Sequence, residues 1–87
     1  MRRTPEHVVS TRFETGDGVL VDLNARRYYT LNETAMLVWS ALEEGCDDAG
    51  LAARLAHEFD VTAEKAHGSA QRLLGDLRQL GLLESPT

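Results

Sequence analysis

The spacing of apolar residues changes once along the chain, at Asn32, and this change limits the possible folds most strongly. Before Asn32, short β-branched and aromatic segments alternate with turns that contain glycine or asparagine; after it, apolar residues recur every three or four positions. The first pattern is typical of strands and the second of helices. A run of strands followed by a run of helices indicates an α+β fold, with the helices on one face of the sheet.

Three strands are predicted before Asn32, at residues 7–13, 19–23 and 27–31. The first connection contains Gly16 and Gly18, which accept the positive φ of tight turns, and the second contains Asn24, which tolerates the left-handed region. Such short connections predict an antiparallel meander. Its first and third strands would each have one edge without a partner strand.

Three helices are predicted after the strands. Asn32 and Thr62 are the expected N-caps of the first and third helices, and Gly45 and Gly81 their expected ends. The second helix is expected from residue 47 or 48 to residue 59. The apolar residues at helical spacing are Ala35, Val38, Trp39 and Leu42 in the first helix, Leu51, Leu55 and Phe59 in the second, and Ala66, Ala70, Leu73, Leu77 and Leu80 in the third. Three helices beside a small sheet give a shape like a winged helix-turn-helix, and residues 1–87 are predicted to form one domain.

Length and composition exclude several classes of protein. With 87 residues, 43% of them apolar, the chain can form one modest core but no two-domain enzyme. No apolar run is long enough to span a membrane, and no apolar stretch follows the basic residues at the N-terminus, so neither a membrane segment nor a secretory signal is expected. Cys46 has no second cysteine with which to form a disulfide, and a cytoplasmic location is the default expectation.

The charge balance argues against a nucleic-acid partner. The formal net charge is −5, and between Glu33 and Asp60 seven acidic residues are opposed by Arg54 alone. Affinity for nucleic acid comes mainly from neutralising phosphates, which this segment would repel. A winged-helix DNA-binding regulator therefore remains an alternative, and the predicted shape is the only feature that supports it.

The sequence contains no recognisable catalytic or metal-binding motif. It has no glycine-rich phosphate loop and no nucleophile elbow, and His7, His57 and His67 are not spaced as ligand pairs on a helix. Cys46 falls in a connection between helices with no cysteine at ligand spacing. We therefore expect no metal, no cofactor and no enzymatic activity.

The segment from residue 18 to residue 35, together with Val38-Trp39 and residues 42–45 that follow it, resembles the PqqD-like family. The shared pattern is a strand that ends near an aspartate, a turn, a tyrosine-rich strand, Leu-Asn, an alanine, an aliphatic-Trp pair and a glycine; here these are Asp22, Tyr28, Tyr29, Leu31, Asn32, Ala35, Val38, Trp39 and Gly45. The resemblance implies a three-stranded sheet with three helices. It also implies a domain that recognises ribosomally made, post-translationally modified peptides, binds the precursor's leader peptide and delivers the precursor to an enzyme without being a catalyst.

The resemblance places the leader peptide as an additional strand on the third strand, in a groove shared with the third helix. Tyr29 and Leu31 are expected to face the helices, and Tyr28 and Thr30 the opposite side. The predicted peptide-binding residues are Arg27, Tyr28, Tyr29, Thr30 and Leu31 on the third strand, and Lys65, Ser69, Arg72, Leu73, Asp76, Leu77 and Leu80 on the third helix. The alternative for the tyrosines is ordinary sheet packing, and for the helix charges a solvated face.

Within this family, the chain is most similar to the free-standing adaptor of lasso-peptide clusters. That adaptor would serve a separate cysteine-type leader peptidase and a macrolactam-forming cyclase. A second possibility is the peptide chaperone of pyrroloquinoline quinone synthesis, which would serve a radical-SAM enzyme. A third, from another class, is a structural subunit that dimerises through its open strand edge.

Overall fold

A computed structural model describes residues 4–83 of the chain. The remaining residues of the predicted domain, 1–3 and 84–87, lie outside the described residues. The strands are β1 (Val8–Arg12), β2 (Gly18–Asp22) and β3 (Arg27–Leu31). The helices are α1 (Glu33–Glu43), α2 (Asp48–Phe59) and α3 (Ala63–Gln79). This order confirms the α+β prediction.

The sheet is an antiparallel meander in the order β1-β2-β3. Leu20, at its centre, pairs with Ser10 on β1 and with Tyr29 on β3. Gly18 was predicted to lie in the first turn, but in the structure it is the first residue of β2. A Cβ atom there would lie 2.4 Å from the Thr11 carbonyl oxygen and 2.7 Å from the Met36 sulfur, so close packing requires glycine.

The β2–β3 turn also differs from the prediction. The positive φ falls on Arg26, at 57°, and not on Asn24. The Asp22 carboxylate accepts hydrogen bonds from the backbone N–H groups of Asn24 and Ala25, both at 3.0 Å. These bonds explain why a carboxylate is buried at the end of β2, because they satisfy it within the turn.

The predicted helix starts are confirmed. Asn32 accepts from the Ala35 N–H at 2.9 Å, and Thr62 accepts from the Lys65 N–H at 3.2 Å. Asp47 caps α2 by accepting from the Gly50 N–H at 2.8 Å. A cap of this kind satisfies one of the amides that the first helical turn leaves without a partner.

One core joins the sheet to all three helices. The predicted apolar faces of α1 and α2 point into it, with Trp39 at its centre, and Phe59 packs against its margin. On α3 the prediction was partly wrong. The buried residues are Ala66, Ala70, Leu74 and Leu77, whereas Leu73 is half-buried and Leu80 is 49% exposed. In the part of the chain that the structure describes, no helix is long and apolar enough to cross a membrane.

Candidate functional site: the free edge of the third strand

The outer edge of β3 is the centre of the candidate site. Among residues 4–83, β3 pairs with β2 on one side and with no strand on the other. Its alternate side chains divide as predicted: Tyr29 and Leu31 pack against the core, while Tyr28 and Thr30 are exposed on the opposite face. The backbone N–H and C=O groups that point outward from this edge must therefore find their hydrogen-bond partners in water or in another chain.

β1 forms the other edge of the sheet, but it is tied to its surroundings more closely. The Val8 N–H donates to the Pro5 carbonyl at 3.2 Å, which occupies the first amide of the strand. The Ser10 hydroxyl donates to the Glu43 carboxylate on α1 at 3.1 Å. These contacts favour β3 over β1 as the edge that can accept an additional strand.

The predicted residues of α3 separate into two groups. Lys65, Ser69, Arg72 and Asp76, which we call the α3 row, are all exposed. Of the leucines, Leu77 is buried in the core, Leu73 is half-buried against it and Leu80 is exposed. The α3 row thus presents polar groups of both signs next to partly accessible apolar surface.

A cavity of about 210 Å³ lies where the three helices meet. Its walls come from the start of α1, the end of α2 and the first half of α3, and they are Thr34, Leu55, Phe59, Val61, Ala66 and Ser69. Mostly apolar walls with a few hydroxyls suit an apolar side chain with one polar end. Only Ser69 among these residues was predicted to belong to the site.

A local signal in the sequence could have identified Val61 as a cavity residue. It directly precedes the N-cap Thr62, and Ala66 is the fourth residue of α3. An apolar residue before the cap commonly packs against the fourth helical residue and fixes how the chain enters the helix. Both residues line the cavity, as that arrangement would place them.

The site contains no obvious centre for covalent or metal chemistry. Within the described range 4–83, no group of three or more His, Cys, Asp and Glu side chains could hold a metal ion. What the arrangement offers is a strand edge, an apolar cavity and a row of exposed charges. These are features that recognise an extended peptide.

Two solved structures resemble this chain over 95% or more of its length. One is described as TbiB1 in complex with the TbiA(beta) leader peptide; it has a TM-score of 0.88 and 25% identity, and the match covers 100% of this chain and 99% of that one. The other is described as lasso peptide synthetase B1 complexed with the leader peptide. It has a TM-score of 0.83 and 26% identity, over 95% of this chain and 96% of that one.

Comparison with protein sequences identifies the family. No curated protein matches the chain. The family model for coenzyme PQQ synthesis protein D (PqqD) matches residues 17–83, which begin just before β2 and extend beyond α3. This match covers well over half of the chain and includes the β3 edge, and the protein therefore belongs to the PqqD family.

Proposed function

We propose that this protein is a non-catalytic adaptor that binds the leader peptide of a ribosomally made precursor. The leader would pair with the outer edge of β3 as a fourth strand. The observation that carries the proposal is this free edge, in a fold that matches a leader-peptide complex along its whole length. Strand addition supplies affinity through backbone hydrogen bonds, and pockets for alternate side chains supply specificity.

The rest of the candidate site supports an extended ligand. Arg27 is exposed at the start of β3 and can pair with an acidic residue of the leader. The α3 row provides further charged contacts, and the cavity between the helices can hold an apolar side chain. Each exposed ion pair would add about 0.2–1 kcal/mol, so the strand pairing and the apolar contacts provide most of the affinity.

We further propose that the adaptor delivers its precursor to a separate cysteine-type leader peptidase and to a macrolactam-forming cyclase. Both structural matches are leader-peptide complexes, and one is described as a lasso peptide synthetase. The test is the rate at which such a peptidase from the same gene cluster cleaves its precursor. The adaptor should raise this rate at limiting precursor, and an unchanged rate would refute the delivery step.

A second candidate function is peptide chaperoning in pyrroloquinoline quinone synthesis. The description of the matching family model favours it, since that model is named for PQQ synthesis protein D. The two candidates differ in the peptide that is bound. Titration with a lasso leader and with a PQQ precursor peptide separates them, because the adaptor should bind its own leader at least tenfold more tightly.

Proline scanning tests strand addition directly. Proline removes a backbone donor, and in adjacent β3 residues one N–H points to β2 and the next to the free edge. Tyr29→Pro and Thr30→Pro should therefore behave differently. The variant that loses the outward-pointing N–H should stay folded and bind the leader at least tenfold more weakly. The matched controls are Ser10→Pro and Thr11→Pro on β1, of which the folded one should bind normally. Equal affinity in a folded β3 variant would show that the leader binds elsewhere.

A further inference from the structure

The turn that leads into β3 holds an arginine in an unfavourable backbone conformation. Arg26 has a φ of 57°, in the left-handed region that glycine adopts without strain and other residues rarely adopt. Among residues 4–83, the only other non-glycine residue with a positive φ is Asp60, which ends α2. A left-handed residue is common at a helix end, and aspartate tolerates it because its short side chain can bond to nearby backbone. Arginine lacks that short polar group.

The conformation of Arg26 is imposed by the residues around it. Asp22 and Arg27 are paired across β2 and β3, so both ends of the turn are fixed. Inside the turn, the Asp22 carboxylate accepts from the backbone N–H groups of Asn24 and Ala25, both at 3.0 Å. The last residue of the turn must then take the left-handed conformation to enter β3. Glycine would fit there with less strain, so the backbone gives no reason for an arginine.

Contacts within the protein give no reason either. Arg26 and its neighbour Arg27 are exposed, and neither makes a hydrogen bond or an ion pair through its side chain within the range 4–83. Arg54, by contrast, is paired with Glu44. A strained residue that persists without an internal contact indicates a functional constraint. Two adjacent cations with no internal partner, in a chain of net charge −5, indicate an anion from another molecule.

The position of Arg26 identifies that molecule. The residue directly precedes β3, and a leader paired with the free edge of β3 would lie about 4.8 Å from this strand, within reach of an arginine side chain. The planar guanidinium matches the geometry of a carboxylate. The segment from Glu33 to Asp60, with seven acidic residues and one arginine, would repel an acidic leader residue. The start of β3 is therefore the favourable place for such a residue.

A contact at this place would also determine the register of the leader. Backbone hydrogen bonds repeat along a strand, so they alone do not fix which leader residue lies opposite which residue of β3. One charged contact at the end of the strand removes that ambiguity. We propose that Arg26 is a specificity-determining residue, which binds an Asp or Glu carboxylate of the leader and sets the register of the leader on β3. This inference rests on the proposed leader binding.

Substitution of Arg26 should have two opposite effects. We expect Arg26→Gly to raise the urea midpoint of unfolding, because glycine relieves the left-handed strain, and to weaken leader binding about three- to fivefold at low salt. Arg26→Asn should show the same two changes, and it controls for the added flexibility of glycine. The matched control is Arg12→Asn, an exposed arginine on β1 at the other end of the sheet, which should leave leader affinity unchanged.

Neutral variants of the leader identify the bound carboxylate. Each acidic leader residue is replaced in turn by its amide, and one of these peptides should bind the wild type about three- to fivefold more weakly but bind Arg26→Gly as tightly as the unmodified leader does. Normal leader affinity in Arg26→Gly and Arg26→Asn would refute the role of Arg26 and leave the adaptor function standing. A urea midpoint that neither variant raises would refute the strain on which the inference depends. A wild-type protein that does not bind the leader would refute the proposed function itself.

Discussion

At the scale of single residues, position in the sheet decides the role of chemically identical side chains. Leu20 is fully buried between the helices and the neighbouring strands, whereas Leu23, three residues later on the same chain segment, is 57% exposed. The difference arises because Leu20 lies in the middle of β2 on the side of the helices, whereas Leu23 lies in the turn that follows β2. It means that two leucines only three residues apart contribute very different amounts to stability.

Truncation of the buried leucine should therefore be costly. We expect Leu20→Ala to lower the free energy of unfolding by about 2–5 kcal/mol, because it removes buried apolar surface and leaves a cavity. Leu23→Ala is the matched control and should lower it by less than about 1 kcal/mol. Urea unfolding of both variants measures the difference. Similar losses would show that Leu20 is not a core residue.

One ion pair should be visible in the pH dependence of the protein. The Arg54 guanidinium donates to the Glu44 carboxylate at 2.5 Å, and this hydrogen bond lowers the pKa of Glu44 below its ordinary value. Since the folded-state pKa lies below the unfolded one, the pair stabilises the fold above the unfolded pKa. That contribution is lost as the pH falls through the folded-state value.

The direction of the Glu44 shift can be tested by substitution. In Arg54→Met the Glu44 pKa should rise towards its ordinary value, as followed by carboxyl chemical shifts during an acid titration. Arg72→Met removes a cation from α3 instead and should leave the Glu44 titration unchanged. A Glu44 pKa that is the same in the wild type and in Arg54→Met would show that the two side chains do not interact in solution.

At the scale of secondary-structure elements, local signals predicted the starts of the helices and the sheet order. Asn32 and Thr62 cap the helices as expected because capping depends on residues within one turn. The core face of α3 could not be predicted as well. Leu73 and Leu74 are adjacent, and both continue a helical repeat from Ala66, so only packing against the other elements selects Leu74.

The candidate site was predictable to a similar extent. The free edge of β3 follows from the order of a three-stranded meander, which short turns make nearly obligatory. The cavity as a whole was not predictable, because Thr34, Phe59 and Ser69 come from three separate helices that meet only in the folded protein.

The charged residues of α3 should adjust the affinity for the leader without determining it. We expect Arg72→Ala and Asp76→Ala each to change the dissociation constant by about two- to fivefold, as exposed ion pairs do, and to change its dependence on salt. Glu58→Ala, exposed on α2, is the control and should change neither quantity. If neither α3 variant differs from the wild type, these residues form a solvated face.

At the scale of the whole molecule, the net charge of −5 and the free strand edge lead to different expectations for three classes of partner. An acidic protein should not bind duplex DNA at physiological salt, because it cannot release counterions from the phosphates. A structural subunit would pair its β3 edge with that of a second copy. An adaptor would stay monomeric and bind one peptide.

Sedimentation distinguishes these assemblies. We expect the 9.6 kDa chain to sediment as a monomer, and to gain the mass of a single leader peptide when that peptide is added. Addition of random-sequence duplex DNA should not change its sedimentation. A stable dimer without peptide would favour the structural subunit, and salt-dependent binding of the duplex would favour the DNA-binding regulator.

The central claim, that a leader peptide completes the sheet at β3, is tested most directly by amide hydrogen exchange with and without the leader. In Arg27–Leu31, the amides bonded to β2 are already protected, and the alternate amides face the free edge. We predict that the leader protects those alternate amides and leaves Val8–Arg12 on β1 unchanged. Protection on β1, or no change along β3 at saturating peptide, would contradict the account.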